Sequence, residues 1–357
     1  MSEFYTNLCL LGNDILYRGY ENGKPVQYRE KSQPVMFLVP DAQKKPSKYK
    51  TLDGRKAYPK RFDGARDARE FLKQYENAAG LEVHGYERYL YQHISQKYPK
   101  TIDYDMTKMK IYTIDIEVAC ENGFPDVEAS AEEMLCITIK DFNTKQIITW
   151  GTREYQSKHE YRVFWTEAEM LEDFIGWWVQ NTPDIITGWN CNLYDIPYIC
   201  RRVERILGEK WKKSLSPWKR VHDREIVIQG RRNIAYDLTG VSILDYLDLY
   251  KKFTYTNQES YRLDHIAMVE LDDKKLDHSQ YENFKDFYTN DWDRFVEYNI
   301  HDVELVDQLE DKMKLIELAL TMAYDAKVNY NDVYSQVRTW DSIIYNFLKT
   351  KGIVIPP

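Results

Sequence analysis

Asp115 and Glu117 stand two residues apart in Lys110–Val118 (KIYTIDIEV), a β-branched run with apolar residues at alternate places. That alternation predicts a half-buried strand, in which residues i and i+2 share a face, so both carboxylates point the same way. Two carboxylates held together repel, and the repulsion is relieved by a proton or by a cation between them. Asp195 follows the apolar run Asp184–Gly188 and opens a helical pattern that carries Ile196, Tyr198 and Ile199. Asp302 lies in EYNIHDVELV, four residues after Tyr298, so phenol and carboxylate share one helical face. Taken singly, each acid has an ordinary explanation. The pair fits an exposed strand face, Asp195 fits a first-turn acid favoured by the helix dipole, and Asp302 fits a surface helix already rich in Glu304, Asp307, Glu310 and Asp311.

The elements that must position these residues can be read from the same patterns. Leu135–Asp141 and Gln146–Thr149 read as two strands joined by residues 142–145, Glu167–Gln180 as a helix, and Asp184–Gly188 as a short buried strand. Ile196–Leu207 reads as a helix ended by Gly208, Ser242–Asp248 as a strand, and Asp293–Leu320 as a long helix or helix pair. Ahead of them, Ile15–Glu21 and Lys24–Arg29 flank Asn22-Gly23, a strong hairpin signal. Pro34–Val39 offers another strand, and Ala65–Ala78 a helix closed by Gly80. The expected fold class is α/β (α+β): a mixed-sheet domain over 106–334 behind a smaller α+β amino-terminal domain over 1–105, with 335–357 a candidate to complete the latter.

Composition narrows the classes. Apolar residues make up 43% and charged residues 30% of 357, as in an ordinary globular protein. The formal net charge of −8 gives no global attraction to phosphate, so nucleic-acid binding would need local patches or metal ions. One local patch is basic: residues 44–61 interleave lysines and arginines with Tyr49 and Tyr58, which suits either a solvated loop or a nucleic-acid contact. Twenty-nine tyrosines against 13 phenylalanines suit wet clefts and base stacking as well as cores. Five cysteines without a CxxC pair argue against a disulfide framework and for a reduced, cytoplasmic setting. Neither a signal peptide nor an apolar run of membrane-spanning length is present, so no membrane partner is expected.

Three stretches carry a more specific message. YTIDIEV, ITGWNCNLYDIPYI and YNIHD resemble, in order and separation, the three exonuclease motifs of family B DNA polymerases. GVSILDYLDLYKKFTYTN and the closing RTWDSIIYNFLKTKGIVIPP resemble the T4-like phage branch of that family. The likeness covers nearly the whole chain, most strongly from about Lys108 to Pro357.

The resemblance implies an RNase H-like fold and a 3′→5′ proofreading exonuclease that hydrolyses DNA with two divalent cations, Mg²⁺ or Mn²⁺. By motif, Asp115, Glu117 and Asp302 would hold one ion, and Asp115 would bridge to a second supported by Asp195. Oxygen-only ligation suits such hard cations, which would orient the attacking water and stabilise the departing 3′ oxygen. Tyr298 would hydrogen-bond that water or the scissile phosphate. A histidine-type nuclease would carry its base five residues before the last aspartate, where Glu297 stands, so the tyrosine-type motif fits and His301 takes no catalytic role. Asn190 and Tyr194 are candidates to contact the terminal nucleotide. Glu225–Asp237 reads as a hairpin whose tip carries Arg231 and Arg232, and it resembles the family's strand-separating hairpin.

Motifs of the polymerase type (SLYPS, YGDTDS) do not occur in the chain, and Ile353–Pro357 stand where a palm domain would begin. DNA synthesis is therefore not expected of it. The expected partners are a single-stranded or frayed DNA 3′ end, a polymerase domain supplied by a missing carboxy-terminal part or a separate chain, and replisome proteins. Two alternatives remain open. One is a free-standing DNA or RNA exonuclease, which the polymerase-like amino-terminal unit and the hairpin disfavour. The other is a nonenzymatic nucleic-acid-binding or assembly module that requires the polymerase half, which the clustered acids disfavour.

Overall fold

A computed structural model describes residues 3–42, 45–120, 123, 125–228, 230–272, 281 and 283–356. The chain divides into two compact units, one of Met1–Met106 with Ala319–Pro357 and one of Thr107–Leu318.

The first unit begins with an antiparallel meander, β1 (Phe4–Leu11), β2 (Asp14–Glu21) and β3 (Lys24–Lys31). The β2–β3 hairpin turns at Asn22-Gly23, as the sequence predicts. Both turn residues take positive φ, 53° and 75°, which these two residue types accept at little cost. β4 (Val35–Pro40), β5 (Tyr49–Thr51) and β6 (Lys56–Arg61) follow, then α1 (Ala65–Tyr75), β7 (Leu81–His84) and α2 (Tyr89–Lys97). The α1 helix stops at Tyr75, three residues short of the predicted end. Of the basic stretch 44–61, Lys44 lies outside the described residues, and the rest builds β5, β6 and the segments beside them.

The second unit is built on β8 (Ile111–Val118), β9 (Met134–Asp141), β10 (Ile147–Gly151) and β11 (Glu160–Val163). They are followed by α3 (Glu167–Gln180), β12 (Ile185–Thr187), α4 (Asp195–Leu207) and α5 (Glu209–Lys213). The hairpin β13 (Val221–Ile228) and β14 (Arg231–Leu238) comes next, then β15 (Ser242–Ile243), α6 (Tyr246–Phe253), α7 (Leu263–Leu271), α8 (Phe284–Asn290) and α9 (Trp292–Met313). Six strands form one mixed sheet in the order β11-β10-β9-β8-β12-β15. β9 runs antiparallel to both β8 and β10, and β12 and β15 join parallel on the other side of β8. An antiparallel trio extended by parallel strands beside the first of them is the RNase H-like arrangement. β8 is consequently central, and helices cover both its faces. Tyr112, Ile114, Ile116 and Val118 share a core with Met170, Phe174 and Trp178 of α3 and Ile196, Ile199 and Val203 of α4. Leu135, Cys136 and Ile147 of the neighbouring strands pack instead with Phe295, Val296 and Ile300 of α9.

The region Ser242–Asp248 departs from the predicted strand. The strand ends after Ile243, because Asp245 accepts a hydrogen bond from the Leu247 amide and starts α6. Tyr246, Leu247, Leu249 and Tyr250 then bury a helical face. The long pattern Asp293–Leu320 resolves into a pair, α9 and α10 (Leu315–Ala326), separated by Lys314 in left-handed conformation with φ 56°. Within the first unit, α11 (Gln336–Thr350) leads to β16 (Ile353–Val354), which pairs parallel with β5 and completes a five-stranded sheet in the order β16-β5-β6-β4-β7.

Candidate metal centre and its cleft

β8 presents Thr113, Asp115 and Glu117 on the face opposite its Ile114 and Ile116 side chains, and the nearest helix on that side is α9. Asp115 lies opposite Thr138 of β9, and Glu117 lies opposite Cys136, with an irregularity in pairing immediately after Glu117. α9 is capped by Asp291, whose side chain accepts a hydrogen bond from the Arg294 amide. It then brings Tyr298, Asn299 and Asp302 toward the strand.

Carboxylate oxygens of Asp115, Glu117 and Asp302 lie within 4.8 Å of one another, and Glu117 and Asp302 are only 9% and 3% exposed. Three acids this close, two of them nearly dry, repel strongly unless a proton or a cation intervenes. Their donor atoms are all oxygen, the set that hard divalent cations prefer. The residues therefore fit the metal that their motif implies. Cys136, next to Glu117 across the sheet, has its thiol pushed up by burial and then by the Glu117 charge, so it remains protonated.

The third element comes from the parallel side of the sheet. β12 is only three residues long, and its end closes tightly on β8. A Cβ at Gly188 would sit 2.5 Å from the Ile114 carbonyl oxygen, so only glycine allows that approach. Past the end of β12 the Ile116 amide is taken up by Asp195, whose Oδ1 accepts it at 3.0 Å. Asp195 is 2% exposed and opens α4. The intervening loop is pinned by Asp245, which accepts hydrogen bonds from the amides of Asn190 (3.1 Å), Asn192 (2.8 Å) and Leu247 (3.0 Å). Asn190 itself takes a positive φ of 66°. Burial, followed by the charge of Asp248, pushes the Asp245 carboxyl up to about 7 despite those three donors.

Asp115, Glu117, Asn190, Tyr194, Asp195, Tyr298 and Asp302 all line one cleft of about 660 Å³. Seven of the nine residues singled out from sequence thus converge. Asp195 lines this cleft but lies outside the tight group of three. Arg231 and Arg232 are elsewhere, exposed at the start of β14 on the β13–β14 hairpin, with Arg232 3.2 Å from Glu225 in an ion pair. The hairpin runs from Val221 to Leu238, longer than predicted, and Gln229 at its turn lies outside the described residues. Sequence reasoning missed Trp189, Tyr261, Arg262 and Phe284, which also line the cleft, and Asn299, which donates to Asp115. Trp189 sits inside a recognised motif and was open to selection. Arg262 is a single cation at the entry of α7, with no pattern to mark it.

Comparison with known proteins agrees with this geometry. Residues 81–266, just over half of the chain, match the family model described as DNA polymerase family B, exonuclease domain. A DNA-directed DNA polymerase of Escherichia phage RB69 is 34% identical over 392 residues, covering 100% of this chain and 42% of the relative. A DNA-directed DNA polymerase of Enterobacteria phage T4 is 36% identical over 385 residues, with the same coverage of each. A DNA polymerase catalytic subunit of Human herpesvirus 6A (strain Uganda-1102) is 29% identical over 216 residues, 56% of this chain and 21% of the relative. The chain spans less than half the length of each of these relatives. Among the described residues no helix is long and apolar enough to cross a membrane.

Proposed function

The chain belongs to family B of the DNA polymerases through their exonuclease domain, and from that membership we propose that it is a 3′→5′ exonuclease acting on DNA. Its role would be proofreading: removing terminal nucleotides from single-stranded or frayed 3′ ends. The observation that carries this reading is the convergence of Asp115, Glu117 and Asp302 within 4.8 Å in an open cleft. Asp115, Glu117 and Asp302 would hold one Mg²⁺ or Mn²⁺, and Asp115 with Asp195 a second. When bound, such ions supply charge neutralisation at the phosphate and activation of water for an in-line displacement.

The chain's own residues do the rest. The Tyr298 phenol, four residues from Asp302 on α9, donates a hydrogen bond to the attacking water or the scissile phosphate. Asn190 and Tyr194 contact the terminal nucleotide from the loop that Asp245 holds. An unpaired end suits this cleft, because stacking on aromatic walls such as Trp189 and Phe284 is indifferent to base identity. The β13–β14 hairpin, with Arg231 and Arg232, separates the primer end from its template. Synthesis belongs to a polymerase domain that this sequence does not contain, joined as a carboxy-terminal part or as a separate chain. Replisome proteins and the host cytoplasm complete the proposed setting.

Digestion of a 5′-labelled single-stranded DNA tests the reading, using the purified chain with Mg²⁺, Mn²⁺ or chelator beside its Asp115→Ala variant. The expected result is a ladder shortening from the 3′ end, dependent on metal and absent in the variant. A folded parent chain that leaves the DNA intact with either metal would overturn autonomous cleavage and favour a binding module.

A further inference from the structure

We propose that Asn299 is a positioning residue for the metal centre, fixing the Asp115 carboxylate through a hydrogen-bond relay that begins on the far strands of the sheet. The inference rests on the metal reading of Asp115, Glu117 and Asp302 and extends it to a residue that carries no charge.

Asn299 lies in the first half of α9, between Tyr298 and Asp302, and is completely buried. Its Nδ2 donates to Asp115 Oδ2 at 2.6 Å. Its Oδ1 accepts from the Thr138 hydroxyl and from the Cys136 thiol, the latter at 3.3 Å. Thr138 and Thr149 share a further hydroxyl–hydroxyl bond of 2.8 Å. The chemistry of the ends sets the direction of every bond. An ionised carboxylate only accepts, so the amide nitrogen must face Asp115 and the amide oxygen must face Thr138 and Cys136. Thr138 gives its proton to Asn299, and Thr149 therefore donates to Thr138. The relay runs from β10 through β9 and α9 to β8, each dipole pointing at Asp115, and such chains polarise in the same sense.

Three consequences follow for the centre. The carboxylate plane of Asp115 is fixed, because one of its oxygens is engaged by a fully buried donor. α9 is tied to β8 at the residue after Tyr298 and three before Asp302, so the helix cannot turn its own ligand away without breaking this bond. The donor is also neutral. A lysine or arginine in its place would lower the negative charge that attracts a cation and compete with it for the same oxygens, whereas an amide orients Asp115 and leaves its charge intact. Outer hydrogen-bond partners of this kind typically change metal affinity or activity by about ten- to a hundredfold when removed.

The test measures Mn²⁺ alone, without DNA, on the full chain: free Mn²⁺ is followed by its electron paramagnetic resonance signal during titration of the parent, Asn299→Leu and Thr138→Val. Thermal unfolding of all three in chelator reports the fold separately. Asn299→Leu is expected to weaken Mn²⁺ binding by about ten- to a hundredfold. Thr138→Val, which removes only the donor behind the amide, should shift it in the same direction by a smaller factor. In cleavage assays kcat should fall at saturating DNA with KM for DNA unchanged. Variants that bind Mn²⁺ as tightly as the parent, whatever their unfolding temperature, would reduce Asn299 to a core hydrogen bond and overturn the proposal. Should Asn299→Leu not fold, unchanged binding by Thr138→Val overturns it equally. A parent without saturable Mn²⁺ binding removes the metal reading itself, an outcome distinct from unequal binding among variants.

Discussion

Along β8 and α9 the acids stand on backbone packed from both sides, whereas along β13 and β14 the two arginines stand on a ribbon open to solvent. Asp302 is 3% exposed and Asn299 is fully buried, while the side chain of Arg232 is 79% exposed and its ion-pair partner Glu225 is 54% exposed. On the proposed reading, the difference follows from what each region would handle. A metal centre needs its ligands held to a fraction of an ångström, and only packed side chains and dry hydrogen bonds give that precision. A device that slips between strands of DNA needs reach and positive charge, and exposed ion pairs contribute little that would hold it rigid. The hairpin's base is nevertheless fixed, because Ala235, Tyr236 and Leu238 are buried while the residues beside its turn are not.

Mutations can break this contrast from the rigid end first. Asp302→Ala is expected to lower cleavage by at least about 10²- to 10³-fold, comparable with deleting a group that stabilises transition-state charge. Circular dichroism should stay native, since the change removes a buried charge from a crowded acidic group. Cleavage near the parent rate would detach Asp302 from the chemistry. Tyr298→Phe should slow cleavage by about tenfold, the value of one hydrogen bond to a charged group, while Mn²⁺ binding is retained. An unchanged rate would leave the phenol as packing against Phe284 and Phe287, whose rings lie 6.5 and 6.0 Å away. At the exposed end, replacing Arg231 and Arg232 together by alanine should reduce cleavage of duplex ends several-fold and single strands less, with the gap narrowing as salt rises. Equal losses on both substrates would end the case for strand separation.

The sequence made some of this plain and hid the rest for identifiable reasons. The strand at Ile111–Val118, the helix at Glu167–Gln180 and the Asn22-Gly23 hairpin were all legible, because periodicity and turn chemistry agreed with the fold. Family B membership was legible from three motifs. Ser242–Asp248 misled because a short, largely apolar run does not separate strand from helix by its pattern, whereas Asp245 caps a helix there and local capping decides. Asn299 was invisible for another reason. A buried asparagine on a helix has no period and no charge, and its importance arises only when strands far off in sequence supply Thr138 and Cys136. Tyr261 and Arg262 reach the cleft by the path of a connecting segment, which no spacing rule encodes.

The amide of Ile116 bonded to Asp195 spans 79 residues of sequence, and the bond between Asp115 and Asn299 spans 184. Contacts so distant close large loops, and their entropy is lost before any bond repays it. Hairpins such as β2–β3 and β13–β14 need no such closure and can zip locally. The acidic cleft is therefore expected to be among the last features to form as the second unit folds. Until α9 has docked on β8, Asp302 is a stranger to Asp115 and Glu117, and recovery of Mn²⁺ binding during refolding would mark completion of the topology rather than its nucleus.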